Sequence, residues 1–84
     1  MPEKTQRRRT SILATLSFFP VLTVKKLQTE MEGVHGIACS ADAIRSDLTW
    51  LAEMELVVFN GADAQITERG RDVAVRRAKY PGEF

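Results

Sequence analysis

The segment from Ser40 to Met54 carries the side chains of this chain that are best suited to recognise another molecule. If it is a helix, Arg45, Ser46 and Thr49 share one side of it, because successive residues are about 100° apart. An arginine can donate two parallel hydrogen bonds to the edge of a guanine, and a hydroxyl can contact a base edge or a phosphate. The spacing therefore predicts a helix with a guanidinium and two hydroxyl groups on one side, side chains that can contact the base edges of a nucleic acid.

Basic side chains outside this segment are suited to hold a phosphate backbone, which supplies much of the affinity of DNA-binding proteins. They lie where two predicted helices begin, and a serine precedes the third. The predicted phosphate contacts are Arg7, Arg8, Arg9, Lys25, Lys26 and Ser40. The alternative for such charges is a solvated surface that keeps the protein in solution.

The net charge of +1 is an average over three regions of different sign. Residues 1–29 contain six basic residues and one acidic residue, residues 30–68 contain eight acidic residues and one base, and residues 69–84 contain five basic and two acidic residues. An anionic partner would therefore be held mainly by the two ends of the chain. The acidic residues Asp42, Glu53 and Glu55 would repel phosphates or accept hydrogen bonds from cytosine amino groups. Alternatively, Asp47 and Glu53 pair with Arg45 or with basic residues of the terminal helices, and the sequence does not decide between these.

Other chemistry has little support in the sequence. His35 and Cys39 lie four residues apart, but no further histidine or cysteine exists to complete a zinc site. The glycines lack the spacing of a phosphate-binding loop, and the carboxylates do not form a catalytic pair. We expect no catalytic residue, no cofactor, no metal and no small-molecule substrate. The single cysteine and the absence of an apolar run of about 20 residues predict a cytoplasmic protein without a membrane span.

The apolar pattern of the first half predicts two helices joined by a short extended piece. The first runs from about Gln6 to Phe18 and is ended by Pro20. Thr23 is a suitable N-cap for the second helix, which Gly33 is expected to stop. The apolar stripes are Ile12, Leu13, Leu16 and Phe19 in the first helix, and Val24, Leu27 and Met31 in the second; Val21 and Leu22 are the extended piece.

The second half predicts a helix, a hairpin and a final helix. Ser40 caps the third helix, whose core face is Ile44, Leu48 and Leu51, widened by Trp50 and Met54. Asn60-Gly61 is a strong hairpin signal between strands at 56–59 and 64–67. The final helix is expected from Glu68, capped by Thr67, to about Lys79, with Val73, Ala74 and Ala78 inward, before Pro81-Gly82 ends the fold.

Two stretches carry a resemblance to a known superfamily. The stretch AIRSDLTWLAEMELV is similar to the recognition helix and first wing strand of DeoR-type and related bacterial regulators. The stretch ITERGRDVA resembles the strand-to-helix junction of MarR-like and PadR-like domains. The chain therefore resembles the winged helix-turn-helix superfamily, in which a short third strand near Val21 would join the two-stranded wing.

This resemblance implies an α+β, mainly α fold, with residues 1–84 forming a single winged helix-turn-helix domain of three helices, a hairpin wing and a C-terminal helix. It also implies a small bacterial or phage transcriptional regulator, with helix 40–54 in the major groove of double-stranded DNA and the basic terminal helices on phosphates. A homodimer through the first and last helices would double the contacts. The alternative is a protein-interaction module whose acidic third helix and wing dock on a basic partner, since residues 61–64 contain no lysine or arginine.

Overall fold

The structure, a computed structural model, describes residues 3–75 of the chain. One antiparallel sheet has the strand order β1-β3-β2. A mainly helical α+β architecture with a small sheet was predicted, and the third strand near Val21 is present. The elements are α1 (Glu3–Phe18), β1 (Val21–Thr23), α2 (Val24–His35), α3 (Ala41–Glu53), β2 (Val57–Phe59), β3 (Asp63–Ile66) and α4 (Glu68–Ala74).

Helix α1 begins at Glu3, about one turn before the predicted start, and ends at Phe18 as predicted. Three residues of its predicted stripe are buried, but Phe19 is 52% exposed, so its assignment to that stripe is wrong. Phe19 follows the last helical residue, and Pro20 lacks the N–H that would continue the helix. The chain there turns into β1, and Phe19 leaves the helical stripe.

Helix α2 begins at the predicted N-cap, because the Thr23 hydroxyl accepts the Lys26 backbone N–H at 3.1 Å. Its predicted stripe is buried. The prediction that Gly33 stops this helix is wrong: α2 continues to His35, and Gly36 takes the left-handed conformation at φ 66°. A glycine inside a helix costs only about 1 kcal/mol, so burial of the stripe can outweigh it.

Helix α3 begins after Ser40, whose hydroxyl accepts the Ala43 backbone N–H at 3.1 Å. The predicted core face is buried at Ile44, Leu48 and Leu51. Trp50 and Met54 are only partly buried and pack against the edge of the core, as does Cys39. The predicted face thus has a buried centre and a half-buried margin.

The turn after α3 uses a left-handed residue, Glu55, at φ 65°. The Leu56 N–H donates to the Leu51 carbonyl at 2.9 Å, and the Glu55 N–H donates to the Ala52 carbonyl at 3.0 Å. These two bonds form a Schellman motif, which usually has glycine in the left-handed position. The motif ends α3 and directs the chain into β2.

The hairpin turns at Asn60-Gly61 as predicted, although its strands lie at 57–59 and 63–66. The Asn60 side-chain oxygen accepts the backbone N–H groups of Ala62 and Asp63 at 2.9 and 2.8 Å. Strand β3 pairs on one side with β2 and on the other with β1. The sheet therefore links the start of α2 to the hairpin.

Helix α4 begins after Thr67, the predicted N-cap, whose hydroxyl accepts the Gly70 N–H at 3.0 Å. Val73 is buried as predicted and Ala74 is partly buried. The predicted continuation to Lys79, the inward position of Ala78 and the ending at Pro81-Gly82 lie outside the described residues. None of the helices in residues 3–75 is long and apolar enough to cross a membrane.

Candidate nucleic-acid interface

The solvent side of α3 contains the three residues that were predicted to contact bases. Arg45, Ser46 and Thr49 are all exposed. The Thr49 hydroxyl donates to the Arg45 backbone carbonyl at 2.9 Å, which leaves its acceptor lone pairs for a partner. The helix thus presents one guanidinium and two hydroxyl groups on one surface.

The Arg45 side chain is held by a weak ion pair within α3. Its Nη1 lies 3.4 Å from Oδ1 of Asp42, and the two side chains are 52% and 96% exposed. Exposed pairs of this kind contribute about 0 to 1 kcal/mol. A guanine edge offering two acceptors can therefore displace Asp42 from Arg45 at little cost.

Ser40 lies at the N-terminus of this same helix. Its oxygen accepts the Ala43 N–H, while the hydroxyl proton remains for an acceptor outside the helix. Anions are favoured at a helix N-terminus because the backbone N–H groups point outward there. The predicted phosphate contact of Ser40 is compatible with its capping role.

Lys25 and Lys26 are exposed in the first turn of α2. The Val24 N–H donates to the Ala62 carbonyl at 3.2 Å, so this turn lies directly beside the turn of the hairpin. Residues 60–64 contain no lysine or arginine. The positive charge next to the hairpin turn is therefore supplied by α2.

Three consecutive arginines of α1 have different environments. Arg7 is exposed, whereas the side chains of Arg8 and Arg9 are only 19% and 12% exposed. Both of the latter pair with Asp47 of α3, whose side chain is fully buried. Two of the predicted phosphate contacts are thus engaged inside the protein, between α1 and α3.

We call Asp47, Arg8, Arg9 and Trp50 the Asp47 clamp. Nε of Arg8 donates to Oδ2 of Asp47 and Nη2 donates to Oδ1 at 3.1 Å, a bidentate pair. Nε of Arg9 donates to Oδ1 at 2.9 Å, and its guanidinium lies 4.3 Å from the centroid of the Trp50 ring. The hydrogen bond to Asp47 raises the pKa of Arg8 above its ordinary value, so the guanidinium stays protonated.

The buried position of Asp47 was missed by the sequence analysis, although a signal was present. Asp47 lies three residues after Ile44 and four before Leu51, so it falls within the apolar stripe of α3. A carboxylate in such a stripe requires a buried cation as a partner. Of the two alternatives for Asp47, pairing with bases of a terminal helix is the one observed, and Glu53 is exposed.

A second polar link joins α1 and α2. The Thr15 hydroxyl donates to the Ser11 carbonyl at 2.9 Å, and Nε2 of His35 lies 2.9 Å from the same hydroxyl oxygen. A hydroxyl has one proton, so Nε2 of His35 must be the donor in this second bond. His35 therefore has a structural partner in the described chain.

The other residues considered for chemistry do not converge on a centre. Within residues 3–75, no group of three or more His, Cys, Asp or Glu side chains could hold a metal ion. Burial raises the pKa of the Cys39 thiol, and the nearby Arg8 charge opposes this shift. A shallow hollow of about 170 Å³ lies on the outer side of the sheet, with Val21, Val58 and Gln65 in its lining.

No family model, curated protein or solved structure matches the chain. The basis for assigning a function is therefore the arrangement described above. Its central features are the exposed side of α3, the basic first turn of α2 beside the hairpin, and the Asp47 clamp.

Proposed function

We propose that this chain is a winged helix-turn-helix DNA-binding protein that acts as a small transcriptional regulator. The observation that carries this proposal is the exposed side of α3, where Arg45, Ser46 and Thr49 face solvent together. Support comes from the order of elements, in which α2 packs on α3, a hairpin follows, and β1 pairs with the returning strand. In winged helix-turn-helix proteins the corresponding third helix enters the major groove.

Base recognition is the task of α3 in this proposal. Arg45 leaves Asp42 and donates two hydrogen bonds to the O6 and N7 atoms of a guanine. Ser46 and Thr49 contact neighbouring base edges or a phosphate through their hydroxyl groups. Arg45 is the only basic residue on this side of α3. It therefore supplies most of the preference for a particular DNA sequence.

Phosphate binding is the task of the exposed cations on the other helices. Lys25 and Lys26 bind the backbone on the side of the hairpin, Ser40 donates to it at the start of α3, and Arg7 extends the contact along α1. Arg8 and Arg9 contribute less than their charges suggest, since Asp47 already accepts hydrogen bonds from both. This division separates residues that specify a sequence from residues that hold any DNA.

A homodimer is part of this proposal. Helices α1 and α4 pack against each other, and a second copy would dock on these two helices. A two-fold dimer would bind two half-sites about one helical turn of DNA apart and double the number of phosphate contacts. Sedimentation equilibrium with and without a selected duplex tests this point: a monomer on a single half-site would overturn it.

The test of the proposed function is fluorescence anisotropy with a duplex selected by the protein from a random library and with an unselected duplex. Arg45→Ala should weaken the selected duplex by about 1 to 3 kcal/mol and leave the unselected duplex nearly unchanged. The double variant Lys25→Gln/Lys26→Gln should weaken both duplexes alike. Equal effects of the two variants on both duplexes would contradict the division of tasks between α2 and α3.

A protein-interaction role is the second candidate, and the inward position of Arg8 and Arg9 favours it. Because these two arginines pair with Asp47, the exposed acids Asp42, Glu53 and Asp63 make the surface charge of α3 and the hairpin mainly negative. A basic protein would then be the partner. The charge reversal Asp42→Lys/Glu53→Lys discriminates: tighter DNA binding supports the first proposal, whereas no DNA binding by either form, even at low salt, supports a protein partner.

A further inference from the structure

We propose that Asp47 is a positioning residue, which fixes the fine rotation of α3 about its own axis and thereby the angle at which Arg45 and Thr49 project from the protein. The effect of Asp47 on DNA binding rests on the proposed function. Its effect on the orientation of α3 rests only on contacts within the protein. The Asp47 clamp fixes this rotation because it joins one turn of α3 to two adjacent residues of α1.

The positions of the residues along α3 make the link direct. At about 100° per residue, Arg45 and Thr49 each lie about 200° from Asp47, which is nearly the opposite side of the helix. Ser46 lies about 100° away, at the margin. A rotation of α3 that moves Asp47 therefore moves both outward-facing residues through the same angle.

The apolar contacts of α3 do not fix such a rotation sharply. Ile44, Leu48 and Leu51 are buried aliphatic side chains, and hydrophobic attraction depends on buried area rather than on direction. The bidentate pair between Arg8 and Asp47 has a defined plane, because both nitrogen atoms of the fork must meet both oxygen atoms of the carboxylate. The directional constraint on α3 is therefore polar.

Energetics point to the same role. A buried ion pair usually adds little net stability, since removing charges from water costs about as much as their attraction returns. Asp47 is fully buried, so aliphatic residues in place of Asp47, Arg8 and Arg9 together would satisfy the core at least as well. Orientation of α3 is what the carboxylate provides and an aliphatic residue would not.

Trp50 gives this inference a built-in reporter. It is the only tryptophan in the chain, and the Arg9 guanidinium lies 4.3 Å from its ring centroid. Release of Arg9 from Asp47 changes the charge above the ring and the access of solvent to it. Emission wavelength and acrylamide quenching of Trp50 therefore follow the state of the clamp without any DNA present.

The variants are chosen to keep the shape of the core. Asp47→Asn replaces the carboxylate by an amide of equal size, and Arg8→Lys keeps the charge but removes the planar fork. Glu53→Gln is the matched control, because it removes an exposed carboxylate from the same helix. The full chain is used throughout, and Arg8→Lys decides the outcome if Asp47→Asn does not fold.

The first measurement needs no DNA. Residual dipolar couplings of backbone amides report the orientation of α3 relative to α1 and α2, with Trp50 emission recorded in parallel. The expected result is a changed set of couplings in α3 and a shifted emission for Asp47→Asn and Arg8→Lys, with wild-type values for Glu53→Gln. Wild-type couplings in α3 of a folded Asp47→Asn or Arg8→Lys would overturn the inference.

The second measurement is the affinity ratio between the selected and unselected duplexes. Asp47→Asn should lower this ratio about tenfold, the effect of a lost bidentate base contact, while binding to the unselected duplex persists through Lys25 and Lys26. Equal loss for both duplexes would mean that Asp47 is merely structural. If the wild-type chain binds neither duplex, the proposed function fails, and the couplings alone decide whether Asp47 orients α3.

Discussion

The carboxylate of Asp47 in α3 accepts two hydrogen bonds from the guanidinium of Arg8 in α1, across 39 positions of the sequence. Neither residue belongs to the exposed side of α3. The pair nevertheless connects the helix that was expected to hold phosphates with the helix that was expected to read bases. Two arginines that were predicted to contact phosphates are thereby used to join α1 to α3.

Removal of this carboxylate should destabilise the protein strongly. Asp47→Ala leaves two largely buried guanidinium groups without their acceptor, and breaking a buried pair in this way costs about 3 to 5 kcal/mol. The triple variant Asp47→Leu/Arg8→Met/Arg9→Met removes all three charges together and should cost far less. Urea unfolding monitored by circular dichroism measures the free energy of unfolding of both variants. A triple variant as unstable as Asp47→Ala would contradict this account.

Glu55→Gly should stabilise the protein. Glu55 is left-handed at φ 65°, a conformation that costs a residue with a Cβ atom about 1 to 2 kcal/mol and that glycine adopts freely. Its ion pair with Arg69 is exposed at 3.4 Å and contributes little. We expect the free energy of unfolding, measured by thermal denaturation, to rise by about 1 kcal/mol. Glu55→Ala is the control: an equal gain there would place the effect in the charge instead of the backbone.

Two glycines should respond to alanine in opposite ways. A Cβ atom at Gly70 would overlap the Leu56 carbonyl oxygen and lie 2.8 Å from Cγ1 of Ile66, so Gly70→Ala should cost about 1 to 3 kcal/mol. Gly33 lies inside α2, and nothing lies within 4 Å of a Cβ atom placed there. Gly33→Ala should therefore raise the free energy of unfolding by at most about 1 kcal/mol. Chemical denaturation of both variants tests the pair. A neutral Gly70→Ala would disprove the close approach of α4 to Leu56.

Cys39 should react more slowly in the folded protein than in the unfolded chain. Burial raises the pKa of its thiol, and the thiolate is the reactive form. The corresponding contribution to stability is fully present below the pKa of the unfolded thiol and is lost as the pH rises through the folded pKa. Rates with a disulfide reagent, measured against pH with and without urea, should show a higher midpoint for the folded form. Coincident midpoints would contradict this shift.

Local signals in the sequence predicted most of the fold. Thr23, Ser40 and Thr67 were identified as helix caps because a hydroxyl at that position meets a backbone N–H, and all three do so. The Asn60-Gly61 turn follows equally from local backbone preference. Gly33 was misjudged because its cost within a helix is small compared with the burial of the α2 stripe.

The pairing of residues inside the candidate site depends on how the helices pack, which local patterns do not give. Helical geometry alone places Arg45 and Thr49 outward, as observed. Arg8 and Arg9 lie four residues before the buried Ile12 and Leu13, so helical spacing places them on the side of the apolar stripe. Which residue of α3 they meet there depends on how α1 crosses α3. Asp47 could have been recognised as a buried carboxylate from its place in the apolar stripe, but its partners are 38 and 39 positions away.

The dependence of binding on salt tests the central claim, that this chain binds double-stranded DNA, most directly. Anisotropy with an unselected duplex should give log affinity falling with log salt at about −0.9 per phosphate neutralised, or roughly −2 to −3 per chain for Arg7, Lys25 and Lys26. Lys25→Gln/Lys26→Gln should reduce the slope by about two units, whereas Arg69→Gln, which lies outside the proposed phosphate contacts, should change it less. No binding at the lowest salt, or a slope unchanged by the double variant, would contradict the proposal.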